Sequence, residues 1–367
     1  MLSKANKNYI HEHYMHLALM HAKKSLGNTK ENPSVGCVIV KNNSVISAGC
    51  TSLNGRPHAE ENAISLLKKS IKNSYLYVTL EPCSHYGKTP PCVNLISKKK
   101  INKVFISIND PDIRSYNKAS KKLKLNGIKV NCGILQDKIK NFYKSYIIYK
   151  KEFLPFVTCK LAISKDFYLI NKKKSWITNY QSRARGHLLR SSHDCILTSS
   201  KTVNTDNPSL TCRINGLEKT SPARIILDSD LKIKIKSKIL LEAYRYKTII
   251  FYNKFNKKKI NLLSKLKVKT YKIPNELDGK VNLEEALRKV KELGFSRVFL
   301  ESGISLIRSF FSKNLVNEFK IFVSNSNLGN KGAIKIKKDL YIFLKNKKKI
   351  KEMVNLNGDL LLSYNIK

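Results

Sequence analysis

Acidic residues are scarce in this 367-residue chain: 26 Asp plus Glu stand against 70 Lys plus Arg, a formal charge of +44. Such an imbalance creates a positive field that favours nucleic acid, acidic membrane or phosphorylated substrates. Arginine is scarce as well, with 11 against 59 lysines. Lysine lacks the planar fork with which arginine reads phosphates and bases, so this excess argues against a selected nucleic-acid reader. In a sequence crowded with Asn and Ile, it fits the codon bias of an A- and T-rich genome. Long apolar runs are missing too: no stretch nears the ~18 residues of a membrane span, and Met1 to Lys24 holds no apolar signal core. The expectation is a cytoplasmic protein with no membrane partner. Eight scattered cysteines exclude a disulfide framework, so in a reducing compartment any clustered Cys is first a metal ligand. No repeat of 20 to 50 residues occurs. Nor does a Gly-x-Gly-x-x-Gly follow any strand of the second half, which argues against a Rossmann dinucleotide site.

What remains is enough for two globular domains, since 42% of the residues are hydrophobic. The lysine runs Lys98 to Lys100, Lys172 to Lys174, Lys257 to Lys259 and Lys347 to Lys349 read as solvated loop or helix ends. An opening amphipathic helix places Tyr14, Leu17, Ala18 and His21 on one face, and His11, His13 and His16 belong to the same helix rather than to a metal cluster. Val35 to Val40 reads as a buried strand that turns at Asn42-Asn43 into Val45 to Gly49. A helix (His58 to Lys69), a strand (Tyr75 to Leu80), a helix (Pro91 to Lys99), a strand (Lys103 to Ile108), a helix (Ser115 to Asn126) and a strand (Lys129 to Cys132) follow. This alternation predicts an α/β sheet with helices on both faces. Charge followed by Pro155 places a boundary near Lys150, giving domains 1–150 and 151–367. The second domain is again α/β, with a helix over Gln181 to Ser191, another opened by Asn282 as N-cap, and closing strands around the Asn357-Gly358 turn.

The strongest chemical signal is His58-Ala59-Glu60, then Pro82-Cys83 and Cys92. One His and two Cys are three soft ligands for tetrahedral zinc, with a fourth position open for water. Glu60, two residues after the His, would move that water's proton. Such logic suits zinc deaminases, whose signature is His-x-Glu with Pro-Cys-x-x-Cys. Here eight residues separate the cysteines instead of two, and spacing alone leaves a structural zinc site or two unrelated buried cysteines open.

The surrounding residues add a resemblance. Thr79-Leu80-Glu81-Pro82-Cys83-Ser84-His85-Tyr86-Gly87-Lys88-Thr89-Pro90-Pro91-Cys92, with Asn32-Pro33-Ser34-Val35-Gly36-Cys37 and Pro57-His58-Ala59-Glu60, resembles the deaminase half of the bifunctional riboflavin-biosynthesis deaminase-reductases, in which a long Cys-to-Cys loop is the rule. The resemblance implies a cytidine-deaminase-like α/β/α domain, zinc on His58, Cys83 and Cys92, Glu60 as proton shuttle, Asn32 against the pyrimidine, and His85 as a possible pocket residue. Lys160 to Asp166, Ser175 to Thr178, Leu188 to Arg190, Thr202 to Arg213 and Leu300 to Gly303 are similar to the same family's reductase half. That half is dihydrofolate-reductase-like and uses NADPH. Carried over, Ala162, Trp176, Thr202, Asp206, Ser229 and the turn Gly303, Ile304, Ser305, Leu306, Ile307, Arg308, Ser309 would meet NADPH. Arg190, Leu210, Arg213 and Glu301 would meet the substrate.

The implied activity is zinc-dependent deamination of a diaminopyrimidinone ribosyl phosphate, followed by NADPH-dependent reduction of its ribosyl group. The implied partners are phosphorylated pyrimidines and further copies of the chain through the reductase half, with no specific nucleic acid. The sequence departs from the family pattern at Thr51, Asp112, Ile113, Asn117, Ala119, Phe167 and Lys174, where His, Asn, Pro, Gly, Gly, Gly and Ser are usual. Two rival readings stand beside this one: a single active half, and a nucleic-acid-binding or nucleobase-editing deaminase supported by the +44 charge.

Overall fold

The computed structural model describes residues 4–68, 70–173, 176–336 and 350–367, so Lys174, Ser175 and the run Lys347 to Lys349 lie outside them. The chain forms two compact units, Met1–Phe153 and Leu154–Lys367.

In the first unit a five-stranded sheet has the order β2-β1-β3-β4-β5. Its strands are β1 (Gly36–Lys41), β2 (Ser44–Cys50), β3 (Tyr75–Leu80), β4 (Lys103–Ile108) and β5 (Lys129–Cys132). Asn42 and Asn43 make the β1–β2 turn with φ of 50° and 59°, left-handed values that Asn tolerates and that match the twist of a tight hairpin. Opposite residues of a strand pair share one sheet face and successive ones alternate, so Gly36 and Gly49, one register step apart, mark opposite faces. A Cβ on Gly36 would strike the backbone of Ala18 and Ala22, and one on Gly49 the backbone of Ala59 and Ala63. The helix Lys4–Lys24 therefore lies on one face and the helix Ala59–Ser65 on the other.

The first helix buries Tyr14, Met15, Ala18, Leu19 and Ala22. The sheet-facing stripe thus sits one residue round from the expected one, because Met15 and Leu19 fill the groove above β1 while Leu17 and His21 stay half-buried. The expected helix over Ser115 to Asn126 begins only at Ala119, since the preceding residues are tied down as a loop by Glu81. Two helices without a sequence signal, Gln136–Phe142 and Lys144–Lys151, complete the unit.

The second unit holds β6 (Phe156–Ile163), β7 (Tyr168–Asn171), β8 (Cys195–Ser199), β9 (Ala223–Leu227), β10 (Thr248–Tyr252), β11 (Lys269–Lys272), β12 (Arg297–Leu300), β13 (Glu318–Val323), β14 (Gly332–Lys335), β15 (Ile350–Leu356) and β16 (Asp359–Asn365). Nine of them form one sheet in the order β11-β10-β9-β8-β12-β6-β13-β16-β15, and β7 pairs with β14. The first seven in that order are parallel; β16 runs against them, and β15, antiparallel to β16, returns to their direction. A mostly parallel sheet is buried on both faces, and two apolar clusters accordingly flank it, one around Val157, Leu197 and Phe310 and one around Ile196, Ile226 and Leu361. Asn282 caps the helix Leu283–Glu292 as expected, accepting from the Glu284 and Glu285 N–H groups. Among the described residues no helix is long and apolar enough to cross a membrane.

Candidate functional site

His58 stands at the N-cap of the helix Ala59–Ser65, which places Glu60 in its first turn. Cys83 follows β3, and Cys92 opens the helix Cys92–Lys98. Chain elements from three places thereby bring the His58 Nδ1 to 3.6 Å from the Cys83 Sγ and 3.3 Å from the Cys92 Sγ. All three ligand atoms lie within 4.8 Å of one another. A tetrahedral zinc with Zn–S of about 2.3 Å and Zn–N of about 2.0–2.1 Å sets its N and S ligands roughly 3.6 Å apart. The donor set and its spacing therefore fit zinc.

The Cys92 thiol and the His58 ring, with the Cys92 N–H at 3.2 Å, pull the Cys83 thiol down to about 4 against the opposing effect of burial. Burial pushes the Glu60 carboxyl up to about 7, and the His58 ring only partly offsets it. A carboxyl in that range both accepts and returns protons near neutral pH.

A cavity of ≈ 390 Å³ opens over this cluster, and Asn32, His58, Glu60, Cys83 and His85 all line it. His85 is steered by its Nδ1 contact with Ser115 Oγ, at 3.0 Å. The other wall comes from residues with no sequence signal as site residues: Arg56, Asp110, Arg114, Tyr146 and Lys150. Tyr146 and Lys150 arrive on the helix Lys144–Lys151, about 90 residues from His58, a juxtaposition that no local spacing reveals.

In the second unit Ala162 lies near the end of β6, and Thr202 sits on the helix after β8. Ser229 follows β9, and Gly303 follows β12. These four strands are consecutive neighbours in the order β9-β8-β12-β6 and run parallel, so all four residues lie toward one carboxyl edge, Ala162 within its strand and the others beyond theirs. In open α/β sheets that edge is where ligands bind. Thr202 Oγ1 accepts from the Gly303 N–H at 3.1 Å and contacts Ser302 Oγ at 2.9 Å, stitching two of the loops together. Gly303 caps the nine-residue helix Ile304–Ser312, whose N–H groups suit a phosphate oxygen.

Trp176 is 58% exposed, with the Arg183 guanidinium 5.4 Å from its ring centroid, so it is not a core residue. Asp206 ends its helix in an exposed position, Ser229 Oγ accepts from the Val281 N–H, and Ser305 and Arg308 are exposed. The side chains of Leu210 and Ile307 are committed to the core, which leaves only their backbones to meet a ligand. Arg190 and Glu301 meet each other, while Arg213 is exposed.

Both units match known families. Residues 8–108 match the cytidine and deoxycytidylate deaminase zinc-binding region, and residues 155–356 match the RibD C-terminal domain. The riboflavin biosynthesis protein RibD of Aquifex aeolicus is 33% identical over 97% of this chain and 98% of its own length. That of Bacillus amyloliquefaciens is 34% identical over 87% and 85%. The chain belongs to the RibD family. Among solved structures, RibD of Acinetobacter baumannii superimposes with a TM-score of 0.81 at 26% identity, covering 98% of this chain and 99% of that one. The deaminase/reductase of Thermotoga maritima gives 0.82 at 28%, with the same coverage. As a RibD, the chain is a bifunctional enzyme of riboflavin biosynthesis with a zinc-binding deaminase domain and an NADPH-using reductase domain.

Three of the departures from the RibD pattern, at Thr51, Asn117 and Phe167, are accommodated locally. Asn117 adopts φ 59° and Phe167 φ 71°, so both keep a left-handed turn where the family usually has Gly. Asn does this readily, whereas Phe carries a backbone cost of about 1–2 kcal/mol and packs its ring beside the second-unit core. Thr51, buried in place of the usual His, accepts from the Val35 N–H and donates to the Pro33 carbonyl, holding the segment that presents Asn32.

Proposed function

We propose that the first unit hydrolyses an amino group from a diaminopyrimidinone ribosyl phosphate and that the second reduces the ribosyl group of the deaminated product to a ribityl chain. The observation that carries this reading is the convergence of the His58 Nδ1 and the Cys83 and Cys92 sulfurs beside the buried Glu60. Those three residues would hold zinc, which when bound supplies a water acidic enough to attack near neutral pH. Glu60 takes a proton from that water and returns it to the departing nitrogen. Ammonia leaves and the ring carbon becomes a carbonyl. Asn32, on the cavity wall, holds the pyrimidine.

In the second unit Ala162, Trp176, Thr202, Asp206, Ser229 and the segment Gly303 to Ser309 orient NADPH along the carboxyl edge of the sheet. Arg190, Leu210, Arg213 and Glu301 address the substrate. Hydride passes to C1 of the ribosyl group, and the protein's part is orientation. The geometry favours Arg213 over Arg190 as the phosphate's cation, because Arg190 already donates to Glu301 and to the Thr211 carbonyl. A cytoplasmic location and a homo-oligomer built through the second unit complete the reading; the first rests on the composition of the sequence and the second on the family resemblance.

The test assays each step alone. Zinc-loaded protein should release ammonia from the diaminopyrimidinone without NADPH, and should oxidise NADPH with the deaminated compound. No ammonia from zinc-loaded protein sinks the deaminase assignment, and no NADPH oxidation sinks the reductase one.

A further inference from the structure

The carboxylate of Asp112 is unusual in the first-unit cavity because it serves two cations at once. Arg114 donates Nε to its Oδ1 at 2.9 Å and Nη2 to its Oδ2 at 2.6 Å, in a fork-on-fork arrangement. Lys150 donates to the same Oδ2 at 2.9 Å from the helix Lys144–Lys151. Asp112 itself is fixed from behind: its N–H donates to Asp110 Oδ1, which also accepts from the Tyr146 hydroxyl at 3.1 Å. The carboxylate is 9% exposed, Lys150 22% and Arg114 61%, so the anion is hidden, Lys150 is partly covered and Arg114 faces outward.

All three line the cavity that holds His58 and Glu60. The fork leaves the Arg114 Nη1 for a ligand, and Lys150 keeps N–H groups beyond the one given to Asp112. An ordinary surface ion pair contributes about 0–1 kcal/mol and explains neither the shared oxygen nor the position on the cavity wall.

We propose that Arg114 and Lys150, held in place by Asp112, form the anion-recognising wall of the deaminase cavity and take the phosphate of its substrate. This rests on the deaminase reading above and deepens it. The wall sets specificity: it selects the phosphorylated pyrimidine over the same compound without phosphate. Asp112 is a positioning residue, because it acts through the two cations and does not itself meet an anionic ligand.

The experiment uses the zinc-loaded full chain carrying Glu60→Gln, which binds substrate without turning it over, and measures Kd for the diaminopyrimidinone with and without its phosphate. A charge-assisted hydrogen bond lost to Arg114→Ala, or to Lys150→Gln, should weaken binding of the phosphorylated compound by about tenfold or more. The dephosphorylated compound should move by less than about threefold. Asp112→Asn separates held cations from loose ones: orientation predicts a smaller preference for phosphate, whereas simple charge counting predicts a larger one. A larger preference overturns the role of Asp112. Equal weakening of both compounds in the Arg114 and Lys150 variants, or no change in either, overturns the wall. If the Glu60→Gln protein binds neither compound, the deaminase reading itself falls, a result distinct from intact binding with an unchanged preference.

Discussion

The Arg190 guanidinium holds the Glu301 carboxylate by two parallel hydrogen bonds, Nε to Oε2 and Nη2 to Oε1, each 2.9 Å long. Lys160 approaches the same carboxylate at 3.6 Å. Burial works to raise the Glu301 carboxyl, but Arg190 and Lys160 outweigh it and hold the group down to about 2. The pair joins the helix Tyr180–Ser191 to the residue that follows β12.

Removing one partner strands the other. Arg190→Ala should cost about 1.5–3 kcal/mol by leaving the part-buried Glu301 carboxylate with Lys160 alone, and the double variant Arg190→Met with Glu301→Gln should cost less than the two single changes added together. The pH dependence follows from the direction of the shift. A carboxyl depressed in the folded chain contributes stability above its unfolded value of about 4.3 and loses it as pH falls toward the folded value. Urea unfolding of the chain should therefore show a loss between about pH 4.5 and 2 that Arg190→Met moves to higher pH. Additive single and double costs would show that the pair is not coupled.

Glu81 predicts a different kind of damage. Its buried carboxylate accepts three backbone N–H groups, those of Asp110 at 3.2 Å, Asn117 at 2.9 Å and Ala119 at 2.9 Å. It thereby clips the loop bearing Asp112, Arg114 and Ser115 to the end of β3, two residues before Cys83. Gln offers one acceptor oxygen and turns an NH₂ group toward a donor. Glu81→Gln should destabilise the first unit by about 2–3 kcal/mol. Hydrogen exchange should speed up at the amides of Asp110, Asn117 and Ala119 ahead of those in β4. Unchanged protection at the three amides would mean the clip is idle.

The same residue shows where the sequence stops being readable. His58, Cys83 and Cys92 declare themselves because zinc demands a few residue types, and strands such as β3 and β4 do so through continuous apolar runs. Glu81 sat inside the recognised motif, yet its role depends on three N–H groups 29 to 38 positions away, which no local pattern encodes. Lys150 is harder still: in the sequence it marks the edge of a domain, and only the fold of Lys144–Lys151 places it on the cavity wall. The first helix shows a smaller failure of the same kind. Its helical period was legible, but the groove it fills, and hence the choice of Met15 and Leu19 over Leu17 and His21, is set by the sheet.

The charge of +44 yields a prediction about what it does not do. A chain so rich in lysine will attract RNA at low salt. If the attraction is only charge, binding should be independent of base sequence and should fall steeply with log[salt], vanishing at moderate ionic strength. Filter binding of two unrelated single-stranded RNAs from about 20 to 200 mM salt checks this. A sequence preference of tenfold or more that survives the higher salt would favour the nucleic-acid reading over the small-molecule one.

Glu60 supplies a test that reads stability and chemistry together. Burial raises its carboxyl to about 7, against about 4.3 in an unfolded chain. A group raised in this way favours the folded state below its unfolded value and loses that advantage as pH rises through the folded one, because ionising it inside the protein is costly. Metal-free wild type should therefore lose stability between about pH 4 and 7, and metal-free Glu60→Gln, with nothing to ionise at that position, should lose less. Zinc beside the carboxylate favours its ionised form, so loading should shrink the difference. In assays, Glu60→Gln should keep its zinc, release no ammonia and still oxidise NADPH with the deaminated compound, and chelation of wild type should give the same split. Parallel stability profiles of the two metal-free proteins would show that the Glu60 carboxyl is not strained by burial, and its part as proton carrier would then need another source of tuning.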